Sequence, residues 1–288
     1  TVTGVDDAVA DGNFAYTITT AQASSADPNY NGLNPANVSV SNTDNDVAGI
    51  TVNPTAGLVT TEAGGTASFT IALTSQPTAN VTIGLSSNDV TEGTVAPPSV
   101  VFTAVNWSVA QTVTVTGIDD PVADGNIAYT IVTAAATSND GSYSGNNPPN
   151  VSVSNTDNDV VGVMVIPTSG LVPTESGGPA QFTVALRSQP TANVSIGLSS
   201  NDVTEGTVAP ASLAFTTANW NVAQTVTVTG VDDAIADGAI AYTITTAAAT
   251  SSDPQYAGLN PANVSVTNSD NDAAGFTINP TAGLVTTE

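Results

Sequence analysis

The chain has 288 residues, with 25 acids against a single base, Arg187, and no His or Cys, for a formal charge of −24. That balance repels nucleic acid and anionic membranes. With no His, Cys or Lys there is no Ser-His, Cys-His or Schiff-base chemistry and no imidazole or thiolate for zinc or copper, so no enzyme is expected. Charged residues are only 9% of the chain and apolar ones 40%, which separates it from an acidic disordered tail.

The chain opens on TVTGVDDAVADG, at 1–12, where alternating Thr and Val run into carboxylates; close relatives of this stretch return at 114–125 and 227–238, displaced by 113 residues each time. A period of that size suits one compact domain with its own core. Taking Asp46, Asp159 and Asp272 as ends divides the chain into a partial repeat at 1–46, whole repeats at 47–159 and 160–272, and the leading part of another at 273–288. It reads as a window cut from a longer tandem array. No Gly/Ser or Pro-rich linker parts the whole repeats: Val160 and Val161 lead straight into Gly162-Val163-Met164-Val165. Adjacent repeats of the same chain are therefore the first partners expected.

Within 47–159 the strand signals are short alternating runs near 49–53, 66–73, 80–86, 100–103, 111–118, 126–133 and 150–155, separated by Pro54, Gly64-Gly65, Pro77, Gly93, Pro97-Pro98, Gly125 and Pro148. No window carries a helical apolar stripe, and no apolar run reaches the roughly 18 residues of a membrane span, so no membrane insertion is expected in this segment. Seven short strands in such a length predict an all-β fold of immunoglobulin-like sandwiches arranged end to end. Phe69, Phe102, Trp107 and Tyr129, with Phe182, Phe215, Trp220 and Tyr242 in the next repeat, are the large core candidates.

All the acids fall at nine equivalent positions, represented by Glu62, Asp89, Glu92, Asp119, Asp120, Asp124, Asp140, Asp157 and Asp159, although the two whole repeats differ elsewhere, as at Thr74 against Arg187. Several of these follow strands, in loops that a sandwich gathers at its poles, with almost no basic side chain to pair them. Like charges so placed call for a cation. Ca²⁺ suits them, because it takes six to eight oxygen ligands in loose geometry. The helix-flanked calcium loop is excluded: counted from Asp157, the fifth position is Val161 and the twelfth is Thr168. Turn and capping roles account for Asp140 and Glu92 equally well.

The ordered set Thr60-Thr61-Glu62-Ala63-Gly64-Gly65, Asn88-Asp89, Val115-x-Gly117-Ile118-Asp119-Asp120-x-x-x-Asp124 and Asp157-Asn158-Asp159 resembles the Calx-β domain, and does so in each whole repeat. The resemblance implies a seven-stranded sandwich whose distal loops bind Ca²⁺ at the domain junction. Carried over by position, the ligands would be Glu62, Asp89, Asp120, Asp124, Asp157 and Asp159, with the Val122 carbonyl. The second repeat would supply Glu175, Asp202, Asp233, Asp237, Asp270 and Asp272, with the Ile235 carbonyl. Asp7, Asp11, Asp44 and Asp46 of the partial repeat, and Glu288, hold the same positions. Asn158 and Asn271 stand where the family often has a third consecutive acid, and Pro121 or Ala234 follows the Asp pair, so fewer or weaker ions are expected. The function implied is structural: a calcium-stiffened rod at an extracellular, bacterial cell surface, as an adhesin stalk or surface filament, with lateral pairing of identical chains a further expectation. The alternative is a glycan- or protein-binding adhesive module.

Overall fold

The structure, a computed structural model, describes residues 1–288 and contains strands and turns without a helix. The chain forms two compact units, Thr1–Asp120 with Gly125–Asn158, and Pro121–Asp124 with Asp159–Glu288. In the first unit, β1 (Phe14–Ile18) and β2 (Val38–Asn42) make an antiparallel ribbon. The strands that follow are β3 (Ile50–Asn53), β4 (Leu58–Thr61), β5 (Thr66–Leu73), β6 (Val81–Ser87), β7 (Gly93–Ala96), β8 (Ser99–Phe102), β9 (Gln111–Gly117), β10 (Ile127–Thr133), β11 (Thr137–Ser138) and β12 (Val151–Thr156). One sheet runs β3-β5-β9-β7 and the other β11-β6-β10-β12-β4, with β8 also on β6.

The period-2 pattern places the core. Phe69 and Ile71 of β5 and Val113 and Val115 of β9 face Ile83 of β6, Ile131 of β10 and Val153 of β12 in one buried cluster. Thr112, Thr114 and Thr116 occupy the alternate positions, as a half-buried strand requires. Phe69, Phe102 and Tyr129 are buried as expected from sequence, whereas Trp107 only flanks the core, its carbonyl accepting the Leu73 N–H at 3.1 Å. The large buried side chain that pattern reading passes over is Tyr143. Its hydroxyl donates to the Ser75 carbonyl at 2.7 Å and accepts the Ser75 N–H at 3.1 Å, tying a loop to the core.

Three strands lie outside the seven anticipated: β4, β7 and the two-residue β11. Strand β7 begins at Gly93, which reads as a breaker but pairs with Gly117 of β9. Strand β4 pairs in parallel with β12, in the register Leu58 to Val153 through Thr61 to Thr156, a contact between distant parts of the repeat that no local pattern signals.

The second unit repeats the plan with β13 (Val163–Ile166), β14 (Pro179–Leu186), β15 (Val194–Ser200), β16 (Gly206–Ala209), β17 (Ser212–Phe215), β18 (Gln224–Gly230), β19 (Ile240–Thr246), β20 (Thr250–Ser251) and β21 (Val264–Asn268). Its sheets run β13-β14-β18-β16 and β17-β15-β19-β21, with β20 on β15. The counterpart of β4 shrinks to bridges at Leu171 and Thr174. Pro173 replaces Thr60 there, and a proline has no N–H for a ladder. Within this unit the segment 121–124 lies against the sandwich, where the Pro121 carbonyl accepts the Gln189 N–H at 2.6 Å and the Ala123 carbonyl accepts Gln255 Nε2 at 3.3 Å. The first unit shows the same seat: the Ala8 carbonyl accepts the Gln76 N–H at 2.6 Å, and the Ala10 carbonyl accepts Ser142 Oγ at 3.2 Å.

Candidate metal centre

Two acidic groups stand at one end of the second unit. In one, carboxylate oxygens of Glu175, Asp270 and Asp272 lie within 4.8 Å of one another; in the other, those of Glu205, Asp233 and Asp237 do so. Their positions follow from the strands. Asp270 and Asp272 continue from β21, Glu175 follows the bridged segment beside it, Asp233 and Asp237 lie in the loop after β18, and Glu205 immediately precedes β16. Close approach of these segments requires Gly230: a Cβ there would overlap the Thr174 carbonyl and Asn268 Oδ1.

Backbone donors orient the carboxylates. Asp270 Oδ2 accepts the Gly238 N–H at 2.6 Å and Oδ1 the Asp272 N–H at 2.6 Å, which together hold the Asp270 carboxyl below the usual carboxylate range. Glu175 Oε2 accepts the Asn271 N–H at 3.2 Å, and Asp233 Oδ1 accepts the Ile235 N–H at 2.7 Å. Burial, and then the charges of Asp270, Asp233 and Asp237, push the Glu175 carboxyl up in spite of its bond to Asn271. Asp272 is pushed up by burial and by the same acids with Asp232. Asp272 Oδ2 is buried and accepts no hydrogen bond. Buried oxygens normally find a donor.

In the first unit, oxygens of Glu62 and Asp157 approach within 4.8 Å, as do those of Glu92 and Asp120. The Asn158 N–H binds Glu62 Oε2 at 2.9 Å, and Asp157 Oδ2 accepts the Gly125 N–H at 2.7 Å. Asp124 and Asp159 belong to the chain segments of the second unit. In the partial repeat, Asp7, Asp11, Asp44 and Asp46 line one cleft. Asp44 accepts the Gly12 and Asp46 N–H groups at 2.7 and 2.8 Å, while Glu288 is exposed at the far end of the chain.

Asp89 and Asp202 lie outside these acidic groups. Each turns an oxygen onto its own loop, Asp202 Oδ1 accepting from Thr204 Oγ1 at 2.6 Å and Asp89 Oδ1 from Thr91 Oγ1 at 2.6 Å. The carboxylates that join the groups from these loops are Glu92 and Glu205, three residues later. They are buried, and Asn155 and Asn268 donate to them at 3.4 and 3.3 Å. The carbonyls of Val122 and Ile235 accept the N–H groups of Asp124 and Asp237, each at 2.9 Å, which shapes the loop. Asp140 takes a capping role, accepting the Thr78 and Ser142 N–H groups at 2.8 and 2.9 Å. Asn158 and Asn271, where a third acid might stand, donate to Asp119 and Asp232 at 3.0 Å each and tie the acidic loops together without adding charge.

No family model matches the chain, and no curated protein matches it. Among solved structures, the crystal structure of CBD12 from CALX1.2 is 12% identical over 75% of this chain and 98% of that one, with a TM-score of 0.36. The calcium binding domain CBD12 of CALX1.1 is 15% identical over 69% and 80%, with a TM-score of 0.34. Domains 4 and 5 of the S-layer protein SbsC are 17% identical over 67% and 77%, with a TM-score of 0.29. At such levels the sandwich stands on its own strand pairing.

Proposed function

We propose that this chain is a structural segment of an extracellular, cell-surface protein, built from Calx-β-like repeats 47–159 and 160–272 whose acidic ends are held by Ca²⁺. The observation that carries this reading is Asp272 Oδ2, buried without a hydrogen-bond donor beside Glu175 and Asp270. A carboxylate-only donor set at these spacings suits a hard cation of flexible geometry, and no imidazole or thiolate is present to favour another. Glu175, Asp270 and Asp272, with Glu205, Asp233 and Asp237, are the side chains assigned to it, and Glu62, Glu92, Asp120, Asp124, Asp157 and Asp159 hold the equivalent positions in the preceding repeat. Bound calcium supplies the charge that cancels their repulsion.

Calcium held by the acidic ends of its repeats would suit a stiffened adhesin stalk or surface filament. The test is calorimetry with calorimetric melting. Titration with Ca²⁺ is expected to give a heat that Asp272→Asn combined with Glu175→Gln diminishes, and saturation at about a hundred times Kd should add about 2.7 kcal/mol to stability. Superimposable melts in calcium and in chelator would sink the reading.

A further inference from the structure

Asparagines at 37, 80, 106, 150, 193 and 263 stand in Asn-x-Ser/Thr, the acceptor motif for N-linked sugar. In a chain rich in Asn, Ser and Thr the motif also arises by chance, and the fold sorts these sites by what each amide already does. Asn106 braces a loop: its Oδ1 accepts the Thr103 N–H at 2.6 Å and Oγ1 at 3.0 Å, and its Nδ2 donates to the Val101 carbonyl at 3.4 Å. Asn219 takes the same two bonds from Thr216, at the same distances, although Asn221 stands where Ser108 completes the motif. That loop keeps its asparagine without the hydroxyl. Asn150 and Asn263, just before β12 and β21, accept the N–H and hydroxyl of Thr133 and Thr246 at 3.0 and 3.2 Å. Asn37 accepts those of Thr20 at 3.0 and 3.4 Å.

Asn80 and Asn193 have no such duty. Each is the last loop residue before a strand, β6 or β15, and each is exposed with a side chain that makes no hydrogen bond. The residue that follows, Val81 or Val194, is fully buried, so strand alternation turns the asparagine and the hydroxyl two residues on toward the same outer face. Both whole repeats keep the acceptor. Asn80-Val81-Thr82 corresponds to Asn193-Val194-Ser195, where the third residue has changed and its hydroxyl has stayed. At 106 and 219 the asparagine persists for the loop and the hydroxyl is lost; at 80 and 193 both persist with no bond that needs the amide.

We propose that Asn80 and Asn193 carry N-linked sugar. The donor is a sugar activated as a diphosphate, brought by a glycosyltransferase. The asparagine Nδ2 bonds to the anomeric carbon, the bond from that carbon to the diphosphate oxygen breaks with its electron pair on the oxygen, and the amide proton passes to a carboxylate of the transferase. Strand β6 runs from Val81 to Ser87, which sets Asn80 and the loop of Asp89 at its opposite ends, roughly 23 Å apart. Asn193 stands in the same relation to Asp202 along β15. The sugar is therefore clear of the acidic groups, and its attachment does not depend on calcium.

Mass spectrometry of the protein isolated from its own cells is the test. Cleavage after glutamate separates the sites, since 63–92 holds Asn80 as its one acceptor and 176–205 holds Asn193. Both peptides are expected to carry sugar, while those holding Asn37, Asn106, Asn150 and Asn263 run at their unmodified masses. A whole oligosaccharide on the two peptides identifies a lipid-linked donor and a single hexose a nucleotide-linked one, and either supports the proposal. Thr82→Ala should clear 63–92 alone and Ser195→Ala should clear 176–205 alone. Bare Asn80 and Asn193 in the isolated protein overturn the proposal. So does sugar that survives loss of the hydroxyl, or equal occupancy at the asparagines whose amides brace the fold.

Discussion

The Thr60 hydroxyl sits 3.1 Å from the Tyr129 hydroxyl and donates to Asn155 Oδ1 at 3.0 Å, so that one side chain satisfies two buried polar groups. In the second repeat Pro173 occupies that position, and both partners, the Tyr242 hydroxyl and Asn268 Oδ1, are buried without a hydrogen bond. Burial, and then the Glu205 charge, push the Tyr242 hydroxyl up to about 12.

Pro173→Thr should therefore stabilise the second repeat. Relieving an unpaired buried group is worth about 1–3 kcal/mol, set against about 0.4–1 kcal/mol of unfolded-state restriction that a proline supplies. The net expectation is a gain of about 1 kcal/mol, together with a Tyr242 titration that shifts detectably at 295 nm. Thr60→Val should cost the first repeat a similar amount. A lower melting temperature for Pro173→Thr would show that the orphaned atoms are satisfied in some other way.

The tyrosines Tyr143 and Tyr256 make the next prediction. The Tyr256 hydroxyl donates to the Ser188 carbonyl at 2.7 Å, accepts its N–H at 3.2 Å and lies 2.9 Å from its Oγ. Tyr256→Phe keeps the ring in the core but leaves Ser188 buried with its backbone groups unpaired. A loss of about 1–3 kcal/mol is expected in urea unfolding, with an unchanged slope because the surface exposed on unfolding is the same. A variant as stable as the parent would place the anchor elsewhere.

How far these features can be read from sequence depends on how local they are. The Thr/Val alternation of 111–118 yields β9 almost to the residue, since each strand position reports its own face. Strand β4 is not legible in that way, because its only partner, β12, lies at the other end of the repeat and runs parallel to it. The same holds at the acidic end. That acids recur at nine positions is visible in the chain, but which oxygens converge is decided by tertiary donors. Asp89 finds Thr91 in its own turn, while Glu92 finds Asn155 across the sandwich. Tyr143 carries no pattern signal, since its partner Ser75 lies 68 residues away.

That division between turn and site yields a contrast in calcium binding. The Asp202 carboxyl is held low by the Thr204 hydroxyl and N–H, both of which bind Oδ1, an atom that asparagine retains. Asp202→Asn should leave the heat of calcium binding nearly unchanged. Glu205→Gln removes a charge from the group with Asp233 and Asp237 and should weaken binding about tenfold. The opposite ranking in titration calorimetry would return Asp202 to the ligand set.

Acid stability offers a test away from the metal groups, at Asp253. Burial pushes this carboxyl up, yet the N–H groups of Thr191 on Oδ2, at 2.7 Å, and of Gln255 on Oδ1, at 2.8 Å, outweigh it, and the net position is below the usual carboxylate range. A carboxylate depressed in the folded state contributes stability that is present above its unfolded value, near about pH 3.9, and disappears as the pH falls through the lower folded value. Asp253→Asn keeps the fold's shape but cannot accept both N–H groups with its NH₂, so it should be less stable than the parent near neutrality by about 1–3 kcal/mol. The difference between the two should then shrink below about pH 4, where the parent loses its ionised form. Glu175 and Asp272, whose carboxyls are raised, change stability in the opposite sense, but identically in both proteins, so the comparison cancels them. Urea midpoints between neutral and acid pH decide the matter: parallel curves for parent and Asp253→Asn would show that the two N–H groups do not favour the ionised carboxylate.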